Sequence, residues 1–255
     1  MLESLPFFSG TGLSDWIIIG LILASYCTSA FTAAFGIGGG VALLALMSTF
    51  VPVATLIPVH GVVQLGSNLG RAHHLRSYIL WPFLLAFLIG TIIGTAIGTQ
   101  IVVSLPDAVL KVCLALFILY VIWGPKPKKT KGGPMMIALV GGLTSLGAMF
   151  LGATGPLVAA VVGGQTSDRQ RVVATHASAM TIQHGLKIIA FGLVGFAYQS
   201  WLALIACMII SGYLGTLTGA KLLHRMDEKL FRHLFKVILT ALALFMLMKA
   251  IGDLF

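Results

Sequence analysis

Charged residues are scarce in this sequence. Among its 255 residues, 16 are Lys or Arg and 7 are Asp or Glu, so only 9% carry a charge. About a quarter of the residues of a typical soluble domain are charged. A further 58% of the residues are hydrophobic, and the mean hydropathy is +1.02. The composition therefore excludes a soluble globular protein and indicates one that works inside a lipid bilayer.

Acidic residues and cysteines are the rarest chemical groups. The seven acids fall at or near the ends of apolar segments, whereas carriers driven by Na⁺ or protons usually need a carboxylate within the membrane. Cys27, Cys113 and Cys207 stand alone inside apolar segments, without the spacing of a disulfide or metal site. We interpret the three cysteines as small buried hydrophobic side chains.

Enzyme motifs are missing as well. The sequence has no His-Glu-x-x-His, no pair of acids inside an apolar segment, and no Ser or Cys with a base at a recognisable spacing. We therefore expect no enzymatic activity, no cofactor and no resident metal. A His-lined metal-ion permease stays open as an alternative, because three histidines fall within apolar segments, although acidic and cysteine ligands are lacking.

Long apolar segments are what the sequence has instead. They cover residues 13–35, 78–101, 108–123, 201–222 and 234–251. Each is close to the length that crosses a hydrocarbon core of ~30 Å at ~1.5 Å per residue. Most of the basic residues lie between these segments, as the positive-inside rule describes, so the net charge of +9 does not indicate nucleic acid. The sequence predicts an all-α, multi-pass protein of the cell inner membrane.

The sequence also contains an internal repeat. GTAIGTQ at 94–100 matches GTLTGAK at 215–221, and His60 and Arg71 match His176 and Lys187 at one constant offset. Three matches in the same order indicate a duplication. We predict a first membrane repeat at 1–124, a basic cytoplasmic linker at 125–133 and a second repeat at 134–255.

Loop charges predict that the two repeats are inverted. The basic connection at 71–76 matches an uncharged one at 192–199. The segment 104–107, which has no Lys or Arg, matches a basic one at 221–232. The positive-inside rule places such matched loops on opposite faces, which is the pattern of inverted-topology repeats. Both termini are then extracytoplasmic. Parallel repeats, with each broken helix crossing once, are the alternative.

Each repeat is expected to begin with a helical hairpin. Residues 13–50 are too many for one straight span, and the segment is broken by GIGGG at 36–40. The remainder, 41–50, reaches only ~15 Å as a helix, about half a bilayer. The second repeat has the same plan, with a tip at 151–156. Each repeat is therefore a glycine-tipped hairpin followed by three transmembrane helices.

These features resemble the TauE/SafE family of sulfite exporters. The resemblance rests on FGIGGG at 35–40, the duplicated helices and the Gly-x-x-x-Gly pairs late in each half. It implies a transporter of sulfite, thiosulfate, sulfoacetate or related anions, working as an exporter. The second tip, ATGP at 153–156, differs from the first, so the resemblance does not imply a strictly symmetric site.

The breaks and a polar stripe predict the binding site. A broken helix points the partial positive charge of its N-terminus at an anion near the midplane. In the first half, His60, Gln64, Asn68 and Arg71 recur at helical spacing on one face. The complete predicted set is Gly38, Gly39, Gly40, His60, Gln64, Asn68, Arg71, Thr154, Gly155, His176, Gln183, His184 and Lys187.

The sequence predicts a secondary transporter that binds a small inorganic or organosulfur anion between the two hairpins. Arg71 is expected toward the cytoplasmic side and Lys187 toward the outer side. Structural hydrogen bonding of the histidines and snorkelling of Arg71 to the interface are the competing interpretations. Proton coupling through His60, His176 or His184, an anion channel and a homodimer stay open.

Overall fold

A computed structural model describes residues 6–35, 38–102, 104–125, 129–222 and 228–252. They form ten α-helices and three short 3₁₀ segments, with no strand in these ranges. The helices are α1 (Asp15–Phe35), α2 (Gly39–Met47), α3 (Val53–His74), α4 (Trp81–Val102), α5 (Asp107–Trp123), α6 (Pro134–Leu151), α7 (Gly155–Gln165), α8 (Arg169–Leu193), α9 (Leu202–Leu222) and α10 (Glu228–Gly252). The predicted all-helical architecture is confirmed.

Four helical segments are long and apolar enough to cross a membrane: Asp15–Ala33, Trp81–Val102, Pro134–Leu151 and Tyr198–Gly219. They belong to α1, α4, α6 and α9. Large apolar side chains on them face outward, among them Trp16, Leu85 and Leu143. An apolar outer surface on helices of this length suits lipid as the surrounding solvent. The multi-pass membrane prediction is therefore confirmed.

Five helices precede the predicted linker and five follow it. In both halves a long helix, a short helix and three further helices occur in the same order. Three stretches named in the sequence predictions, 36–37, 126–128 and 223–227, lie outside the described residues. The helix order supports the predicted repeat boundaries, which stay a prediction.

The Gly-x-x-x-Gly pairs bring the two halves together. A Cβ atom at Gly94 of α4 would overlap the carbonyl oxygen of Gly142 on α6. In the same way, a Cβ at Gly215 of α9 would overlap the carbonyl of Tyr26 on α1. Glycine allows this backbone approach, as at many membrane helix crossings. The late helix of each half thus packs on the first helix of the other half.

The two polar helices, α3 and α8, pack on each other and run in opposite directions. Early in α3, the ring of His60 lies edge-on to that of His184, late in α8, with centroids 6.3 Å apart. Just beyond the end of α3, the Leu80 amide donates a 3.0 Å hydrogen bond to Thr175 Oγ1, early in α8. Matched helices of the two halves are therefore antiparallel at their central contact.

The first helix and the late helix of the other half run in the same direction. Ser25 Oγ donates to the Met208 carbonyl at 2.7 Å, and further along α1 the Ala30 backbone meets Gly219 of α9. Helix α9 follows α8 after a short connection and is expected to return across the membrane. Helix α1 then has the direction of α3, so the short α2 between them must turn back. These directions support the predicted hairpins and inverted repeats.

Both hairpin tips contain a glycine with positive φ. Gly38, just before α2, has φ +117°, and Gly152, just after α6, has φ +70°. This left-handed region is favourable for glycine and costly for residues with a Cβ atom. The return helices begin at Gly39 and Gly155, so each helix includes the last two residues of its predicted tip.

Candidate functional site

A cavity lies where the two tips meet the polar helices α3 and α8. Its volume is about 50 Å³, well above the roughly 10–15 Å³ that a single water needs. Its walls come from both hairpins and from the facing stripes of α3 and α8. The lining residues are Thr32, Gly38, Gly40, Val41, His60, Gln64, Asn68, Arg71, Ala153, Gly155, Pro156, His176, Met180 and His184.

Nine of the thirteen predicted site residues line this cavity. They are Gly38, Gly40, His60, Gln64, Asn68, Arg71, Gly155, His176 and His184. The polar stripe of α3 lines it in full, because its members share the helix face that meets α8. Of the four α8 residues in the predicted set, only His176 and His184 line the cavity, while Gln183 and Lys187 do not.

The predicted set lacks five of the lining residues: Thr32, Val41, Ala153, Pro156 and Met180. Met180 occupies the position equivalent to Gln64, so the repeat offset offered a signal for it. Thr32 and Ala153 gave no signal. The Thr32 hydroxyl donates to the Thr28 carbonyl of its own helix at 3.0 Å, a local bond that any membrane threonine can make.

Each return helix is joined to a polar helix by a histidine. His60 Nε2 lies 2.9 Å from the Gly40 carbonyl oxygen, and His176 Nε2 lies 3.1 Å from the Gly155 carbonyl oxygen. A carbonyl only accepts, so Nε2 must donate in both pairs. His60 and His176 are equivalent in the repeat, and so are the bonds they make. These bonds hold the first turns of α2 and α7 at the cavity wall.

Both return helices present their N-terminal ends to this one cavity. Helix α2 lines it with Gly40 and Val41, and α7 lines it with Gly155 and Pro156. The first N–H groups of a helix have no partner within the helix, and the helix dipole adds a partial positive charge there. Two such ends at one cavity form an electropositive backbone wall.

Gly39 serves the packing of the tip. A Cβ atom at Gly39 would overlap the Thr28 carbonyl and the Thr32 hydroxyl of α1, whereas one at Gly40 would lie 3.2 Å from Gln64 Oε1. Gly39 is buried and is not part of the cavity lining. The structure therefore separates two neighbouring glycines that the sequence presents as one group.

Thr154 and Gln183 join the second tip to α6. The Thr154 hydroxyl donates to the Thr144 carbonyl at 3.0 Å and lies 3.1 Å from Gln183 Oε1. Gln183 Nε2 donates to Ser145 Oγ at 3.0 Å. All four side chains are buried. Thr154 and Gln183 thus contact other protein groups instead of the cavity.

Lys187 is the most deeply buried basic side chain among those described, with 1% of its surface exposed. Its Nζ donates a 2.9 Å hydrogen bond to the carbonyl oxygen of Gly152, the glycine with positive φ at the second tip. A Cβ at Gly61 would lie 2.8 Å from Lys187 Cε, so the side chain crosses against α3. The structure places Lys187 behind the cavity wall.

Arg71, the equivalent of Lys187, takes a different position. Its side chain lines the cavity and donates to Asn68 Oδ1 at 3.1 Å and to the Ser67 carbonyl at 3.3 Å. Asn68 is fixed in turn, because its amide donates to the Gln64 carbonyl at 2.8 Å. The guanidinium therefore faces the cavity on a side chain held by its own helix.

The charge around the cavity has one sign. No acidic side chain lines it among the residues that the structure describes. Asp107 pairs with Lys111 at 3.0 Å, and Asp168 accepts from the Gln170 amide at 2.8 Å in the first turn of α8. Both acids therefore lie at helix N-termini, remote from the cavity wall. The lining combines one guanidinium, three imidazoles and two helix N-termini.

The side chains give no support to the metal-ion permease. In the described part of the chain, no three His, Cys, Asp or Glu side chains come close enough to hold a metal ion. The three cavity histidines are divided between α3 and α8, and two of them donate Nε2–H to backbone carbonyls. A ligating nitrogen needs a free lone pair, which those Nε2 atoms do not have.

Comparison with known proteins assigns the family. A comparison with curated proteins found no match, and neither did one with solved structures. The family model described as sulfite exporter TauE/SafE matches residues 21–246, a range that includes both tips, both polar helices and the whole cavity. The chain belongs to the TauE/SafE sulfite exporter family, a family of membrane transporters.

Proposed function

We propose that this protein is a secondary transporter that exports small sulfur-containing anions. Sulfite, thiosulfate and short organosulfonates such as sulfoacetate are the proposed substrates. The observation that carries the proposal is the convergence of two helix N-termini, Arg71 and three histidines on one cavity. Family membership adds the general class, a sulfur-anion transporter.

The proposed site binds the anion by backbone dipoles and one fixed charge. An anion in a low-dielectric core loses its hydration, and oriented N–H groups together with a cation can replace it. Gly40 and Gly155 keep the backbone of both return helices accessible at the cavity. Gln64 and Asn68 offer amide groups that suit the oxygen atoms of a sulfonate or sulfite. The lack of acidic lining residues in the described chain avoids repulsion.

We also propose that the two halves are inverted-topology repeats that alternate access to this cavity. The supporting observation is the antiparallel contact between the equivalent helices α3 and α8. The cavity lies at that contact, where the axis relating the halves would pass. Rocking one half against the other would then open the cavity first to one face and then to the other.

Transport by the purified protein in proteoliposomes tests this function. Radiolabelled sulfite, thiosulfate and sulfoacetate are each tested for exchange against internal unlabelled anion. The exchange rate of a substrate should saturate as its external concentration rises. Sulfate, phosphate and chloride serve as competitors that rank the size and charge the cavity accepts. Saturable exchange of at least one sulfur anion is the expected result. Exchange of none of them would refute the proposed function.

Matched glycine variants tie any transport to the cavity. A Cβ at Gly155 would lie 3.5 Å from His176 Nε2, in space that belongs to the cavity, whereas Gly20 on α1 has no atom within 4 Å. Gly155→Val should reduce exchange at least tenfold at normal protein yield, and Gly20→Val should leave it unchanged.

Two results would favour the alternative functions. Divalent-metal uptake inhibited by competing metals would indicate a metal-ion permease, and non-saturable anion flux would indicate a channel.

A further inference from the structure

Three buried side chains form a cluster beside the cavity, here called the inner cluster: His60, His184 and Lys187. Their exposed fractions are 0%, 4% and 1%. The two imidazole rings are 6.3 Å apart and nearly perpendicular, at 79°. Lys187 passes alongside Gly61, the neighbour of His60, before reaching the Gly152 carbonyl.

Two nitrogen atoms of this cluster have no hydrogen-bond partner. They are Nδ1 of His60 and Nδ1 of His184, both buried. His60 donates through Nε2 to the Gly40 carbonyl, so its Nδ1 keeps a free lone pair in the neutral ring. Buried polar atoms without a partner are uncommon and call for an explanation. A lone pair in such a position can accept a proton.

Among the residues that the structure describes, the groups found around the inner cluster are neutral or positive. The polar helices α3 and α8 contribute Arg71 and His176 to the same cavity, and α2 and α7 contribute their N-terminal backbone. The α1 hairpin leg brings the uncharged Thr32, and α6 brings Thr144 and Ser145 behind the second tip. The described acids Asp107 and Asp168 lie at helix ends elsewhere.

Because the surroundings of the inner cluster are neutral or positive, binding of an anion and binding of a proton favour each other. Added positive charge within a low-dielectric region repels the positive charges already there, and the repulsion falls when an anion arrives. An anion in the cavity would lie beside Arg71 and beside His60 and His184, because all three residues line the same cavity. The bound anion then stabilises a proton on the inner cluster, and the proton stabilises the anion, as reciprocal linkage requires.

We propose that the inner cluster takes up one proton with each anion, so that the protein is a proton–anion symporter. The proton comes from water on the loading side, resides on Nδ1 of His184 or His60, and leaves with the anion on the opposite side. A divalent anion with one proton keeps a net negative charge, so the inside-negative membrane potential still drives its export. Lys187 positions the second tip and keeps the empty cluster from holding an additional proton. This inference rests on the proposed function and specifies its coupling ion.

Thiosulfate flux in proteoliposomes under a pH gradient tests the coupling. Thiosulfate stays fully ionised near neutral pH, so any pH effect belongs to the protein. With the membrane potential held at zero by valinomycin and equal potassium, external acid should accelerate uptake at least fivefold. One proton per anion predicts that one pH unit balances about a tenfold thiosulfate gradient. This balance point is measured on the unaltered protein.

Variants assign the coupling to the inner cluster. We measure the ratio of uptake driven by the pH gradient to thiosulfate exchange at equal pH. His184→Gln and His60→Gln should each lower this ratio at least fivefold. His73, an exposed residue in the last turn of α3, supplies the control variant His73→Gln, which should behave as unaltered protein. The ratio of driven uptake to exchange is the readout, so a reduced yield does not affect it.

The outcomes separate the two proposals. Thiosulfate exchange that ignores the pH gradient would overturn proton coupling and leave the transporter function standing. Normal stimulation in both histidine variants would likewise overturn the assignment to the inner cluster. If none of sulfite, thiosulfate and sulfoacetate is exchanged, the proposed function and this inference both fail.

Discussion

Gly39 and Gly40 are adjacent in the chain, but their different surroundings give them different roles. Gly39 meets backbone atoms of α1 that cannot move aside, while Gly40 meets the end of the Gln64 side chain, which can. Both belong to one glycine run in the sequence. At Gly39 the absent Cβ allows the hairpin to close, and at Gly40 it leaves room in the cavity.

Alanine at Gly39 should therefore mainly affect stability, whereas alanine at Gly40 should mainly affect anion binding. Gly39→Ala should destabilise the protein by about 1–3 kcal/mol, the range for forcing atoms into a packed site, and lower its melting temperature in detergent. Gly40→Ala should melt close to the unaltered protein and weaken anion binding. Gly20→Ala, on an open helix face, is the control. Equal melting temperatures for the Gly39 and Gly40 variants would contradict the tight contact.

Arg71 offers the only fixed guanidinium among the described lining residues. Arg71→Gln should weaken apparent anion affinity about tenfold or more, with the larger effect from the cytoplasmic side in oriented vesicles. Arg71→Lys should recover part of the loss, because attraction needs charge more than fork geometry. Arg76→Gln is the control, since Arg76 lies in the exposed connection after α3. Unchanged affinity at normal protein amount would instead favour snorkelling of Arg71 to the interface.

At the scale of helices, the matched glycines of α4 and α9 join the two halves. The backbone contacts at Gly94 and Gly215 leave no space for a side chain. We expect Gly94→Val and Gly215→Val each to lower the melting temperature and the yield of folded protein, since α4 would have to move away from α6, and α9 from α1. Gly70→Val, at an open position on α3, tests whether valine alone is harmful. Normal melting of the Gly94 and Gly215 variants would contradict this close packing.

The two hairpins are similar in plan and differ in how their tips are held. The histidine bonds to Gly40 and Gly155 repeat in both halves. The second tip has additional bonds from Lys187, Thr154 and Gln183 to the surrounding helices. The same histidine contact thus positions both return helices, while the polar residues behind the second tip support that tip alone.

At the scale of the whole molecule, the inverted arrangement predicts which connections face the cytoplasm and which face the outside. Inverted repeats require residues 126–131 and Arg169 to be cytoplasmic and the connection at 104–107 to be outside. In a background lacking Cys27, Cys113 and Cys207, cysteine at Arg169 or Lys128 should resist impermeant thiol reagents in intact cells. Cysteine at Ser104 should react. Ready labelling of Arg169→Cys from outside would contradict the inverted arrangement.

The sequence by itself determined the class of protein and the helices it is built from. Scarcity of charge and repeated apolar runs require a membrane protein, since such segments cannot be stable in water. Glycine breaks, helical spacing of polar residues and loop charge are local patterns, so they predicted both tips and the stripe of α3. The four residues of that stripe line one cavity, because spacing alone fixes which residues share a helix face.

Only the tertiary structure decided which polar residues face the cavity and which brace its wall. Gly39 and Gly40, or His184 and Lys187, are close neighbours in sequence, and no local pattern tells them apart. Their roles depend on what another helix places opposite them: the Thr28 carbonyl for Gly39, and the Gly152 carbonyl for Lys187. Contacts between residues far apart in the chain arise only when the helices pack, so the local patterns of a sequence do not predict them.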